Sequence, residues 1–390
     1  MPTATTVETI ASHGAIRLVP KKYLRKEAFV PSATVQCHAS SLLFLADGDL
    51  LCTWFGGTME GKPDISIYMS RLRAGDEEWG PAQKMTHDNS RSEQNPLLFR
   101  APCGDVWLLY TSQHAGNQDS AIIKHRISRD GGETWGPEEA LFEDKGIFIR
   151  QPIRILDDDT WVLPVFKCRV NPGQKWMGSD DISCVRLSKD QGQSWTEIEV
   201  PDSTGCVHMA IQRLKDGKYL ALFRSRWADN VYLARSLDGV TWSSPEATVL
   251  PNPNAGICFD VLPSGRIVLV YNHSSKTNAT GRREGLYDDI GDEDDSRTNQ
   301  TTESGKSAFW GAPRAPLCVA WSDDDGLTWK NKVLEDGDGF CMTNNSEKKL
   351  NRELSYPSMV VGNDGTLHIA FTFWRQRIKH VQLKDDFFTE

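Results

Sequence analysis

Residues Ser128–Pro137 read SRDGGETWGP. The Asp can accept backbone N–H bonds within a turn, and the glycines allow positive φ. The Trp is an apolar anchor, and Gly136–Pro137 ends the run. Similar stretches recur: SKDQGQSW from Ser188, SLDGVTW from Ser236 and SDDDGLTW from Ser322. A degenerate copy, SRLRAGDEEW, starts at Ser70. A turn and anchor that return at intervals mark a repeated structural unit before they mark a reaction centre.

Each copy has a hairpin signal upstream of it. SSLLFLADGDLLCTWF (Ser40–Phe55), NPLLFRAPCGDVWLLYTS (Asn95–Ser112) and QPIRILDDDTWVLPVFK (Gln151–Lys167) each hold two apolar runs joined by a tight polar turn. MAIQRLKDGKYLALFRS (Met209–Ser225), GICFDVLPSGRIVLVYN (Gly256–Asn272) and PSMVVGNDGTLHIAFTF (Pro357–Phe373) repeat the form. A third strand follows in most units, then the Trp motif, then a fourth strand. Six units at a period of about 45 to 60 residues predict an all-β, six-bladed β-propeller of four-stranded antiparallel sheets. No apolar stripe of helical period competes with that reading. The sixth unit lacks an outer strand, and Ala15–Pro20 is the expected donor, so that the termini close the ring. One domain is expected over residues 1–390. A polar, acidic insertion, residues 274–313, lies within the fifth blade and is either a lid or disordered.

The bulk numbers narrow the partners. The formal net charge is -9, with 53 acidic and 44 basic residues, which argues against a nucleic acid held through its phosphates. No apolar run approaches the roughly 18 residues that a membrane span needs. Nine cysteines form no CxxC pair and read as buried thiols. The opening MPTATTVETIASHG has neither a basic start nor an apolar run. The expectation is a cytoplasmic protein, or a secreted one if a leader has been removed.

In a four-stranded blade, the start of strand one and the end of strand two share a face. Asn95, Arg150, Gln151, His38, His208 and Tyr356 fall at or near strand starts, and Glu60, Asp64 and Arg224 follow hairpins. Polar groups converging from six blades on one mouth are the default binding-site hypothesis. His38 and His208 with Glu60 or Asp64 could also hold a divalent ion, but no local spacing motif supports it, and neither metal nor cofactor is expected.

The S-x-D-x-G-x-T-W pattern, complete at Ser128–Trp135 and Ser322–Trp329, resembles the Asp box of the sialidase superfamily. The resemblance covers almost the whole chain. It implies a six-bladed propeller whose boxes face away from the active site. It also implies three arginines on a carboxylate, a tyrosine–glutamate nucleophile pair and a carboxylic acid. Arg224 and Arg314 match the second and third arginines, Tyr356 matches the nucleophile, and Glu60 or Asp64 matches the acid. Two positions depart from the family. His38 stands where the first arginine belongs, ten residues before Gly48, and His208 stands where the glutamate belongs, sixteen before Arg224. A neutral histidine can draw a proton from a tyrosine as glutamate does. The expected function is therefore cleavage of a glycosidic bond at an acidic sugar, the partner being an acidic oligosaccharide or a small carboxylate ligand. A uronate β-elimination with a histidine base and Tyr356 as acid is the alternative. A propeller repurposed to bind or convert a small metabolite is the third reading. Arg226, Arg375 and Arg377 are expected at the rim.

Overall fold

The computed structural model describes residues 14–389 apart from 22, 291–296 and 303–304. Six antiparallel sheets succeed one another along the chain as the blades of a propeller. Blade 1 runs through Gln36–Phe44, Leu50–Gly57, Ser66–Leu72 and Gln83–Lys84. Blades 2, 4, 5 and 6 begin at Ser92–Arg100, Cys206–Arg213, Cys258–Val261 and Leu354–Val361. Blade 3 begins with two short pieces, Ile147–Ile149 and Arg154–Ile155, both paired with Trp161–Lys167. Neighbouring blades meet through apolar side chains. Phe99 of blade 2 packs edge-on against Trp161 of blade 3, ring centres 4.8 Å apart. No helix among the described residues is long and apolar enough to cross a membrane.

The ring does close through the N-terminal segment, but by a different strand from the one expected. Arg25–Val30 pairs with Arg377–Leu383, and Arg17–Val19 only adds a fifth strand outside it. The reason is burial. In RKEAFV, Ala28 and Val30 are buried and fill the space beside Ile378, whereas Arg17 and Leu18 are exposed.

The Asp boxes are self-contained turns. Asp130 Oδ1 accepts from Thr134 N at 2.9 Å, Ser128 Oγ accepts from Gly132 N at 2.7 Å, and Trp135 Nε1 donates to Gly132 O at 3.2 Å. The same contacts recur around Asp190 and Asp324. Gly192 shows why the box needs glycine. Its φ is +90°, and a Cβ there would lie 2.9 Å from Trp107 of the adjacent blade.

On the opposite face the inner strands of blades 1 to 4 and 6 are interrupted. Pairing slips between His38 and Ser41, Gln94 and Leu97, Val207 and Ala210, and Ser355 and Ser358. Each slip holds a left-handed residue: Ala39, Asn95, His208 and Tyr356, with φ of 59°, 48°, 56° and 51°. Asn254, just before the inner strand of blade 5, has φ of 56°. Blade 3 breaks around Arg150 and Gln151. A bulge re-aims side chains that a regular pleat would point into the blade interfaces. Five breaks, with Asn254 ahead of the sixth inner strand, build one polar centre.

Residues 274–313 join the second and third strands of blade 5, and their described residues include several that contact the residues around this mouth. Thr298–Asn299 pairs in parallel with Gln174–Lys175, which lies between the second and third strands of blade 3. Arg283 is buried and donates to Leu286 O at 2.9 Å and to Asn344 Oδ1 at 3.1 Å. Tyr287 meets the Gln113 side chain at 3.0 Å, and Trp310 packs against Trp176.

Candidate active site

Tyr356 stands at the centre of the mouth. Its ring is faced by the guanidinium groups of Arg150, Arg224 and Arg314, all at 5.4 to 5.5 Å. Its hydroxyl oxygen accepts a hydrogen bond from Arg224 Nη1. The His38 ring centre lies 4.2 Å away and that of His208 5.7 Å away. Tyr356, His208, His38 and Arg224, which the sequence assigns to blades 6, 4, 1 and 4, therefore meet around one tyrosine ring.

The two histidines differ in their surroundings. His38 Nδ1 lies 2.9 Å from Thr372 Oγ1 and 3.3 Å from Glu353 Oε1, and its Nε2 lies 3.3 Å from Arg375 Nη2. Both ring nitrogens are engaged. His208 Nδ1 is buried and has no hydrogen-bond partner among the described residues. Burial first, then the surrounding arginines, holds both histidines well below the usual imidazole range, so both are neutral.

The carboxylates sit to one side. Glu353 Oε2 lies 3.1 Å from Arg314 Nη1, and Oε1 accepts from Arg375 Nε at 3.0 Å and from Ser355 Oγ at 2.8 Å. Burial opposes its ionisation, but Arg314 and Arg375 outweigh it and hold the carboxyl down at about 2. Arg375 Nη1 also reaches Glu60 Oε2 at 2.6 Å. Asp64 is exposed and accepts from Thr58 N at 2.8 Å, capping its own loop. Asp64 is thereby outside the cluster. His38, His208, Glu60 and Asp64 do not converge as metal ligands among the described residues. The ligand atoms that do lie together belong to Cys184, Glu197 and Glu199 on blade 3.

Two expected residues have other partners, and a third stands apart from the cluster. Arg150 donates to the main-chain oxygens of Ser40, Tyr356 and Pro357 at 3.0 to 3.1 Å, so it pins the bulges of blades 1 and 6. Gln151 donates to Ile257 O at 2.7 Å and ties blade 3 to blade 5. Asn95 is buried at the bulge of blade 2, with φ of 48°.

Arg226 and Arg375 are not rim residues: each is 1% exposed. Arg226 donates to Asp181 Oδ2 at 2.9 Å and lies between the rings of Trp176 and Trp310 at 5.3 and 5.2 Å. Arg375 owes its place to a tight turn. Trp374 and Arg375 both have positive φ, 56° and 54°, and Gln376 N closes the turn on Phe373 O at 3.1 Å. Such turns favour Asn and Gly, so Trp-Arg gives no turn signal in the sequence. Arg377 is half-buried and donates to Gln376 O, away from the cluster. Glu353, the residue just before the inner strand of blade 6, is the hub of the ion pairs. The one sequence signal for the bulges is proline: Pro96, Pro152 and Pro357 each follow the break, where a residue without N–H is tolerated.

The charges do not balance. Among the described residues the centre buries Arg150, Arg224, Arg226, Arg314 and Arg375 against Glu60, Asp181 and Glu353. Arg226 has Asp181, and Arg314 and Arg375 share Glu353 and Glu60. No carboxylate among these residues reaches Arg150 or Arg224. Arg150 is met by three carbonyl groups. Arg224 has only Asn254 Oδ1 at 2.7 Å and the Tyr356 hydroxyl, and burial pushes it down to about 9. A buried, unpaired guanidinium is costly, and a bound anion relieves that cost.

The profile of the BNR repeat-like domain matches residues 48–369. A search of curated protein sequences finds no match. Among solved structures, the Hadza microbial sialidase Hz136 superposes with a TM-score of 0.65 at 14% identity, covering 90% of this chain and 66% of that one. A Dyadobacter fermentans protein of unknown function gives 0.67 at 14% identity, covering 95% and 99%. The Trypanosoma rangeli sialidase gives 0.62 at 12% identity, covering 98% and 60%. The chain thus spans less than two thirds of the length of these two sialidases, and the likeness is one of fold. With the family profile running over most of its blades, the chain belongs to the BNR repeat-like domain family and has the propeller fold of the sialidases.

Proposed function

We propose that the mouth binds an acidic sugar through its carboxylate and cleaves the adjoining glycosidic bond. The observation that carries this reading is Arg224, a buried cation without a carboxylate partner, in contact with the hydroxyl of Tyr356. Arg224 and Arg314 hold the substrate carboxylate between them, since guanidinium groups match that geometry. Tyr356 Oη attacks the anomeric carbon and forms a bond to it. His208 takes the phenolic proton at Nδ1, the nitrogen that has no partner. The bond to the departing oxygen breaks and that oxygen takes up a solvent proton; water then releases the sugar from the tyrosine, which recovers its proton from His208, while Glu60 stays paired with Arg375. His38 is a poorer base than His208, because its Nε2 already faces Arg375.

The free Nδ1 of His208 also suits a second reading. In a uronate β-elimination it would take the C5 proton, the leaving oxygen would depart with a proton from Tyr356, and a double bond would form in the ring. One experiment separates the two. The protein is incubated with acidic di- and oligosaccharides, and both reducing ends and the ultraviolet absorbance of an unsaturated uronate are followed. New reducing ends without that absorbance support hydrolysis, and both signals support elimination. Arg224→Ala should lose either activity. Binding of acidic sugars without turnover would overturn the catalytic reading and leave a carboxylate-binding propeller.

A further inference from the structure

Asn254 lies on the run from blade 4 into blade 5, buried and left-handed. Its side-chain Oδ1 accepts from Arg224 Nε at 2.7 Å. Its main-chain oxygen accepts from Arg314 Nη2 at 3.1 Å. Its Nδ2 donates to Phe309 O, in the insertion, at 3.0 Å. Phe309 N in turn donates to Arg226 O at 2.8 Å, and Ala308 N to Ser179 Oγ at 3.0 Å. The next residue, Trp310, faces Arg224 at 5.9 Å. One residue thus touches both arginines and the docked end of the insertion. Asparagine is among the few side chains that adopt the left-handed conformation readily.

We propose that Asn254 is a positioning residue: it fixes Arg224 and Arg314 at one carboxylate-binding spacing while residues 308–310 are docked. This rests on the acidic-sugar reading and names the device that sets its anion site. An Arg224 released from Asn254 keeps its charge but loses one of its two fixed hydrogen bonds. Docking of the insertion and affinity for the carboxylate are then linked through a single amide.

The test is calorimetric titration of the full chain with free glucuronic acid and with N-acetylneuraminic acid. Melting temperatures are recorded in parallel. Asn254→Gly keeps the left-handed backbone and the carbonyl used by Arg314 but removes Oδ1. It should weaken acid binding about tenfold or more, the scale of a hydrogen bond to a charged group. Asn254→Asp, nearly isosteric, supplies a fixed carboxylate to Arg224 and should abolish binding. It also serves if the glycine variant does not fold. A merely structural role would lower the melting temperature of both variants without this difference between them. If the wild type binds an acid, Arg224→Ala loses it, and both Asn254 variants bind as the wild type does, the role of Asn254 is overturned and the carboxylate site stands. If the wild type binds neither acid, both fall.

Discussion

Glu353 stands between Arg314 and Arg375, with Ser355 and His38 on the same oxygen. Its carboxyl is held at about 2 against an ordinary 4.5. A carboxylate whose folded value is depressed adds stability above its unfolded value and loses it as pH falls through the folded one. The window here is about 4.5 down to about 2, and the shift corresponds to about 3 kcal/mol. Glu353→Gln leaves two buried guanidinium groups short of their counter-charge and should cost about 3 to 5 kcal/mol at neutral pH. The variant should also lose less stability than the wild type on acidification, which chemical denaturation across that window measures. Glu93 has the opposite sign. Burial pushes its carboxyl up to about 7, its Oε2 has no partner, and Lys124 Nζ is 3.4 Å from Oε1. Ionising it works against the fold, so its contribution turns unfavourable as pH rises from about 4.5 to about 7. Glu93→Gln should therefore be more stable than the wild type above about pH 7, by up to about 3 kcal/mol, and no different below 4.5. Denaturation midpoints at the two ends of that range decide it.

The Asp box is a structural element, and its chemistry stays inside its own turn. Asp130 is held at about 2 by the Thr134 hydroxyl and amide and the Ser128 hydroxyl, all in the box. Asp130→Ala should lower the melting temperature while leaving binding at the mouth unchanged. A loss of activity larger than the loss of folded protein would contradict that. These boxes and the hairpin turns were legible because their geometry is local: Asp, Gly and Trp satisfy or anchor backbone a few residues away. That local register points to His38, His208, Arg224 and Tyr356, whose side chains the fold brings around one ring. Arg375 and Glu353 were not legible to the same degree. The turn that aims Arg375 inward is made by Trp374 and Arg375, and Glu353 becomes a hub only when blades 1, 5 and 6 meet. The closing strand misled for a related reason, since both Arg17–Val19 and Arg25–Val30 are plausible strands and burial of Ala28 and Val30 decides between them. The insertion is the other element with a consequence. Phe309 N, Arg283 N and Lys276 N donate to Arg226 O, Trp310 O and Ala228 O at 2.8, 3.0 and 2.7 Å. Tyr356, His208 and Arg224 are all buried, and the lid reading has the insertion lift to admit a sugar. The amides of Phe309 and Arg283 should exchange hydrogen faster than those of the inner strands and slow on binding an acidic sugar. Mass spectrometry on proteolytic fragments would read this, and equal protection with and without ligand would count against the lid.

At the scale of the ring, stability depends on one joint. Every other blade takes its strands from one stretch of chain, but blade 6 takes Arg25–Val30 from the opposite end of the chain. Arg25 locks that strand. It is buried, donates to Leu334 O at 2.6 Å across 309 residues of sequence, and pairs with Glu335 Oε2 at 2.6 Å. Lys379 reaches the same glutamate at 3.0 Å, so the outer strands of blades 5 and 6 are tied by two cations on one carboxylate. Contacts this distant in sequence require the longest loop closure and form late in folding. Arg25→Ala should cost about 2 to 4 kcal/mol, toward the lower part of that range because Glu335 is partly solvated. The cost should appear as faster unfolding with little change in the folding rate, the pattern of an interaction absent from the transition state. Removing residues 1–30 should do more, because it uncovers the edge of Arg377–Leu383 and the apolar surface under Ala28 and Val30. Association detected by size exclusion is the expected result. Stopped-flow unfolding of Arg25→Ala is the sharper measurement, and a folding rate that falls as much as the unfolding rate rises would mean that the ring closes early rather than last.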